Sequence, residues 1–352
     1  MEFGLSQEQT LLQDSVSKFL TDQVPLSNVR KIASGETSDA ETWQGIAELG
    51  IPGLLIPEAQ GGVGLGCLDA AIVAECLGYH VTPGPFISSA AMAPIPLLAA
   101  GKDELLAKIA AGEHRVGIAF GEAIGARNDA GVKVVNGSMS GKCIFALDAD
   151  ADSYLIATPD KKIFSVEAND IKRRPLTTVD KTRSTCELIL NNVAVELISD
   201  DVEIYNRTLD TGRVMQAADT LGAAQSMVDQ AVAYAKERKQ FNRVIASFQA
   251  VKHMCAEMAS NLEPCRSMVW YAGYTMDDVP DEARLVACHA KAHLSEVGKF
   301  IAKTSTEVHG GMGFTDLVGL HYWFKRIGAN RQLLGSPELV REEAARLQGL
   351  AA

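Results

Sequence analysis

Leu5, Leu11, Leu12, Val16, Phe19 and Leu20 recur at near-helical spacing, so the chain opens on an amphipathic helix. Ser6 stands where an N-cap belongs, and Gln9, three residues on, completes a capping box. A second helix over 41–49 is expected to end at Gly50. The run from Ile51-Pro52-Gly53 to Gly61-Gly62-Val63-Gly64-Leu65-Gly66 reads as a turn region. An apolar helix over 68–77 follows, with Gly78 as its expected stop. Pro83-Gly84-Pro85-Phe86 breaks the chain again before another apolar helical run over 87–100.

From about Val116 to Val202 the rhythm changes to short segments rich in β-branched and aromatic residues, at 116–120, 132–135, 153–157, 162–166 and 187–190. Asn136-Gly137 is a hairpin signal. This stretch predicts a β domain, a small barrel or sandwich. From Ile204 onward long amphipathic helices return, over 214–236, 249–274 and 281–307, and Pro337 opens a final one. The class is therefore α+β, in three parts: a helical domain over 1–112, a β domain over 113–203 and a C-terminal helical bundle over 204–352. No internal repeat or low-complexity tract is evident.

Composition narrows the function classes. The chain has 352 residues, 47% of them hydrophobic, with mean hydropathy near zero, as in an ordinary globular protein. A net charge of −11 argues against nucleic-acid binding. The compact basic run Lys172-Arg173-Arg174 reads as a solvated loop. No stretch is apolar for long enough to span a membrane, and MEFGLSQEQT lacks the features of a secretory signal, so a cytoplasmic protein is expected. Seven cysteines, at 67, 76, 143, 186, 255, 265 and 288, show no zinc-like spacing and read as reduced thiols. His289 and His293 stand four apart on a helix without a third ligand, so they read as surface histidines and no metal is expected.

Three stretches carry the chemistry. The first is MEFGLSQEQTLLQDSVSKFL with GIPGLLIPEAQGGVGLG and AAIVAECLGY. The second is Tyr234-Ala235-Lys236-Glu237-Arg238-Lys239-Gln240-Phe241, continuing to Phe248-Gln249. The third is Glu307-Val308-His309-Gly310-Gly311-Met312-Gly313-Phe314-Thr315-Asp316-Leu317, followed by Phe324-Lys325-Arg326. Arg238 offers a planar, permanently charged fork suited to a pyrophosphate. Phe241 can pack on a ring, and Gln249 offers a donor and an acceptor. Gly310-Gly311 lets a backbone approach a cofactor closely. The same residues also read as a charged helix terminus with a core phenylalanine and a plain helix end.

Together, in this order, the three stretches resemble the acyl-CoA dehydrogenases, flavoenzymes that oxidise the Cα–Cβ bond of an acyl thioester. The resemblance implies FAD as cofactor, with Arg238, Phe241, Gln249, Gly310 and Gly311 contacting a FAD held largely by the neighbouring subunit. Asn242 stands where the family usually has glycine, and asparagine tolerates a left-handed backbone. Glu307 replaces a common glutamine.

The pattern departs where the catalytic base belongs. The family's glutamate occupies either the position of Leu317 or that of Gly212, within Leu209-Asp210-Thr211-Gly212-Arg213. Neither residue can accept a proton. The stretch that resembles the flavin-ring site reads Gly121 to Asp129, then Phe145-Ala146-Leu147. It keeps Glu122 but lacks the usual hydroxyl residues and tryptophan. These losses resemble the non-catalytic subunit of the α2β2 enzymes of actinobacteria that shorten steroid side chains. That implies a homologous partner supplying the glutamate, a steroid acyl-CoA substrate as in cholesterol breakdown, and electron-transfer flavoprotein as acceptor. Two other readings stay open: a self-sufficient homotetramer with a displaced base such as Asp316, and a non-enzymatic acyl-CoA-binding protein.

Overall fold

The capping box forms at the first helix. Ser6 Oγ accepts from the Gln9 N–H at 3.1 Å, and Gln9 Oε1 accepts from the Ser6 N–H at 3.0 Å. It opens α1 (Gln7–Gln23) in a computed structural model that describes residues 4–125 and 131–351. Part of the stretch matched to a flavin-ring site, Ala126 to Asp129, lies outside the described residues. After α1 come α2 (Leu26–Ser34), which the sequence pattern did not reveal, and α3 (Ala40–Glu48). Gly50 follows α3 with φ +76°, as a helix-terminating glycine should.

Helix α4 (Cys67–Tyr79) runs through Gly78 instead of stopping there. A Cβ at Gly78 would run into the carbonyl of Asp219, and one at Gly222 into the carbonyl of Glu75. The glycines serve a close helix crossing, not a helix end. A π-helical turn (Phe86–Met92), α5 (Pro94–Ala99) and α6 (Asp103–Ala110) complete the N-terminal helices.

The middle of the chain supplies β1 (Val116–Ala119), β2 (Gly131–Val135), β3 (Ser138–Leu147), β4 (Ser153–Ala157), β5 (Ile163–Glu167), β6 (Lys172–Pro175), β7 (Thr185–Ala194) and β8 (Glu196–Ser199). They form one mixed sheet in the order β6-β7-β3-β1-β4-β5-β8, with β2 also on β3 and with β1 and β4 parallel. The expected barrel or sandwich thus takes the form of a single hydrogen-bonded sheet, whose end strands among the described residues are β6, β8 and β2. Asn136 and Gly137 turn β2 into β3 with φ of +49° and +77°, the double positive φ of a tight hairpin turn.

Lys172-Arg173-Arg174 is not a loop but the edge strand β6, paired with β7. Arg173 donates to the carbonyls of Ala149 and Ala151 at 3.1 and 2.9 Å, and Arg174 pairs with Glu187 at 2.8 Å. Basic residues fit such a strand because their charge discourages further edge pairing.

The C-terminal part holds α7 (Val202–Glu237), a small hairpin of β9 (Lys239–Gln240) and β10 (Arg243–Val244), then α8 (Gln249–Asp278), α9 (Pro280–His309), α10 (His321–Gln332) and α11 (Pro337–Leu347). Helix α7 begins well before the expected 214. Every residue over 208–224 is buried, so this helix packs on all faces and shows no amphipathic rhythm.

A buried polar knot joins the three parts. Asp219 of α7 receives a bidentate pair from Arg326 of α10, Nε to Oδ1 at 3.0 Å and Nη2 to Oδ2 at 2.7 Å. Arg326 also donates to the Thr82 carbonyl at 2.8 Å and to Thr182 Oγ1 at 2.9 Å. Asn330 donates to Asp219 at 2.6 Å and accepts from Arg183 at 2.5 Å. No helix among the described residues is long and apolar enough to cross a membrane.

Candidate functional site

Two neighbouring helix ends build an open edge. Tyr234, one turn before the end of α7, stacks on His309 at the end of α9, with ring centroids 4.6 Å apart. His309 is fixed in turn by a 2.8 Å contact from Nδ1 to the Ser305 carbonyl. This contact brings the ends bearing Arg238 and Gly310 together. Arg238 caps α7: its N–H donates to Tyr234 O and its carbonyl accepts from Ile245 N, both at 2.8 Å. Its side chain is exposed, and among the described residues its guanidinium has no partner.

The β9–β10 hairpin turns through Phe241 and Asn242 with φ of +50° and +61°, so asparagine does hold the left-handed position. Phe241 is 87% exposed and meets Phe248 edge-on at 6.1 Å. Gln249 opens α8 and is exposed. Gly310 adopts φ +58° and ψ −140°, a conformation reserved for glycine. A Cβ at Gly310 or Gly311 would meet nothing within 4 Å, so no contact within this chain demands the close approach that Gly311 permits. The five expected cofactor residues therefore all lie at the surface, on the segments gathered around these helix ends.

The loop beyond lies at the surface, where Asp316 edges a small hollow with Val179 and Tyr322. Leu317 is 82% exposed. Asp316 is held by Arg30, whose Nη1 donates to Oδ2 at 2.7 Å and whose other nitrogen reaches the Asp316 carbonyl. His321 Nε2 lies 3.5 Å from the other carboxylate oxygen.

A separate cavity of about 580 Å³ lies where the three parts of the chain meet. Its walls include Ile87, Ile118, Phe120, Phe145, Leu147 and Leu334. Glu122, also on the wall, is buried and accepts from the Ile144 N–H at 3.0 Å. On the same wall Arg115 bridges Asp39 and Asp148, each at 2.8 Å, and Arg183 sits 3.4 Å from Asp180. Gln216 of α7 also lines this cavity.

Gly212, one turn before Gln216, has no room for a side chain. A Cβ there would lie 2.5 Å from Met92 Sδ and 2.6 Å from Leu334 Cδ1. Asp210 and Arg213 beside it belong to a buried ion cluster with Glu343 and Arg284. Burial pushes the Asp210 carboxyl up to about 6, against the pull of both guanidiniums. Asp210, Cys288 and Glu343 form a grouping of metal-ligand types, but Arg213 donates to all three. With Arg284 also present, two guanidiniums offset the two carboxylates and leave little net charge to attract a cation. His289 and His293 are both exposed on α9.

Residues 6–113 match the family model described as "Acyl-CoA dehydrogenase, N-terminal domain", and residues 202–348 match "Acyl-CoA dehydrogenase, C-terminal domain". This chain belongs to the acyl-CoA dehydrogenase family. It is 31% identical to acyl-CoA dehydrogenase IpdE2 of Mycobacterium tuberculosis, over 97% of this chain and 96% of that one. Among solved structures it resembles a variant of the Tcur3481–Tcur3483 steroid acyl-CoA dehydrogenase, with 25% identity, a TM-score of 0.87 and coverage of 97% and 98%. It also shares the fold of the ChsE4–ChsE5 complex from M. tuberculosis, with 22% identity, a TM-score of 0.89 and complete coverage of both chains.

Against the flavin of this family, the two halves of the site behave differently. The open edge fits: a free guanidinium, an exposed aromatic ring, an amide and two glycines whose surroundings are clear. The cavity fits poorly. Gly121 and Leu147 present no hydroxyl, and Phe145 stands at φ +57° where a tryptophan is usual. Among the described residues, the carboxylates of Asp39, Asp148 and Asp180 share this wall with the guanidiniums of Arg115 and Arg183.

Sequence reading passed over Gln216 and the Asp219–Arg326 knot. The signals were faint: a polar residue within an apolar run, and an arginine quoted only as part of a resemblance. Both gain meaning only from what the fold places around them.

Proposed function

We propose that this chain is the non-catalytic subunit of a heteromeric FAD-dependent acyl-CoA dehydrogenase, completing the FAD site of a homologous partner that carries the glutamate. One contrast carries this reading. Both positions for a base are closed to chemistry, Gly212 by packing and Leu317 by exposure, while the cofactor edge around Arg238 and Gly310 stays open. Phe241 and Phe314, 87% and 82% exposed, suit an edge covered by another subunit. Asp316, held by Arg30, suits a structural role better than that of a displaced base.

In the assembled enzyme Arg238 would pair with the pyrophosphate, Phe241 would pack on a ring of the cofactor and Gln249 would bond the nucleotide. The bare backbone at Gly310-Gly311 would let the cofactor lie close. The partner's glutamate would take the Cα proton of the acyl thioester, and FAD would supply the acceptor for the hydride leaving Cβ. The likeness to a steroid acyl-CoA dehydrogenase supports a steroid side-chain acyl-CoA as substrate. An α2β2 assembly with electron-transfer flavoprotein as acceptor fits the same reading.

Arg238→Ala tests it in the co-purified complex. Losing one charge-assisted contact to a pyrophosphate is expected to weaken FAD retention by about 10- to 100-fold. Flavin released on dilution gives the readout, with the subunits still associated. Unchanged flavin content would remove this edge from the cofactor site.

A further inference from the structure

The hairpin that follows α7 concentrates positive charge. From Lys236 to Lys252 stand five cations, Lys236, Arg238, Lys239, Arg243 and Lys252, against one carboxylate, Glu237, in a chain whose net charge is −11. Among the described residues every other arginine reaches a carboxylate or, for Arg173, backbone carbonyls, whereas Arg238 and Arg243 do neither. Unpaired cations gathered on an acidic protein suit an anionic ligand.

Arg243 is nonetheless held in place. The centre of its guanidinium lies 4.0 Å from the centroid of the Phe248 ring, and Phe248 meets Phe241 edge-on at 6.1 Å. The ring face attracts the cation and leaves its N–H groups free to donate elsewhere. Phe248 immediately precedes Gln249, so this cluster belongs to the same edge as Arg238.

Backbone pairing sets the direction of the two side chains. Arg243 pairs with Gln240 and Val244 with Lys239, and the Ile245 N–H donates to the Arg238 carbonyl at 2.8 Å. Alternate residues along a strand share a face. Arg238 and Arg243 therefore stand on one side of the hairpin, and Lys239 on the other. Such diagonal neighbours are about 7–8 Å apart at the backbone, a gap that two long side chains close onto adjoining phosphates. Each planar fork suits one phosphate.

We propose that Arg243 is a second phosphate-binding residue, so that Arg238 and Arg243 each take one phosphate of the FAD pyrophosphate. This role rests on the partner-subunit reading, in which Arg238 alone meets the pyrophosphate.

FAD binding to the flavin-free complex with the homologous subunit, followed by flavin fluorescence, tests it. Arg243→Gln is expected to raise Kd about tenfold, and the loss should shrink at high salt, which screens charges at an exposed site. ADP, which carries two phosphates, should compete with FAD about tenfold less well in the variant, while adenosine competes equally in both. The melting temperature of the flavin-free complex should not change. Arg243→Met takes over if the glutamine variant does not assemble. An unchanged Kd in Arg243→Gln beside a raised one in Arg238→Ala would overturn the role of Arg243 and leave the partner-subunit reading intact. A lower melting temperature with an unchanged Kd would assign Arg243 to hairpin packing alone. An unchanged Kd in both variants would overturn the role and the reading together.

Discussion

Gly212→Glu, which places a glutamate on α7 where the proposed function puts the missing base, is expected to destabilise the chain by about 4 kcal/mol and to give it no activity of its own. The Cβ alone would lie 2.5 Å from Met92 Sδ and 2.6 Å from Leu334 Cδ1, so the side chain must displace both. Overpacking of this kind costs about 1–3 kcal/mol. The carboxylate adds the cost of an uncompensated charge, because Arg213 and Arg284 are already engaged by Asp210 and Glu343. The gain in helix propensity over glycine, about 1 kcal/mol, does not offset these losses. The urea midpoint measures the effect. A variant with an unchanged midpoint that oxidised acyl-CoA unaided would show that the glutamate site is latent, not closed.

Asp219→Asn should cost about 3–5 kcal/mol, because it leaves the Arg326 guanidinium buried without its counter-charge. Both side chains are at most 3% exposed, so solvent screens the pair little. Burial by itself would push the Asp219 carboxyl up. Arg326 and Arg183, with hydrogen bonds from Arg326 and Asn330, hold it below its usual value instead. The folded value is thus depressed relative to an unfolded value of about 3.9. The stability it contributes is fully present above that value and is lost as pH falls through the folded one. Urea unfolding between neutral pH and pH 3 should show the wild type losing stability at the acid end, with the asparagine variant showing less of that loss. Equal pH dependence in the two proteins would place the acid-sensitive group elsewhere.

Much of the fold could be read from the chain because local signals agreed with the tertiary structure. Ser6 and Gln9 cap α1 as their spacing requires, and Asn136-Gly137 makes the turn that its residue types favour. The failures have a common physical cause, which is burial or pairing invisible to local pattern. Gly78 is a helix-stopping residue by type, yet α4 continues because α7 lies against it. Lys172-Arg173-Arg174 looks solvated, yet backbone pairing to β7 makes it a strand. Long β3 was hidden because two register shifts interrupt its alternation.

The proposed cofactor edge stands out in the sequence for a different reason. Arg238, Phe241, Gln249, Gly310 and Gly311 are exposed residues of distinctive chemistry. The absent glutamate was legible as an absence only. That Met92 and Leu334 occupy its place, and that Gln216 faces a cavity one turn on, follows from residues distant in the chain.

The division of labour between unlike subunits is tested most directly by the visible spectrum of the full-length chain. It would be purified alone, and again with a homologous subunit that retains the glutamate. The expected result is a colourless chain with no acyl-CoA oxidation, and a yellow complex that turns over acyl-CoA. A chain that by itself held stoichiometric FAD and oxidised acyl-CoA would contradict it.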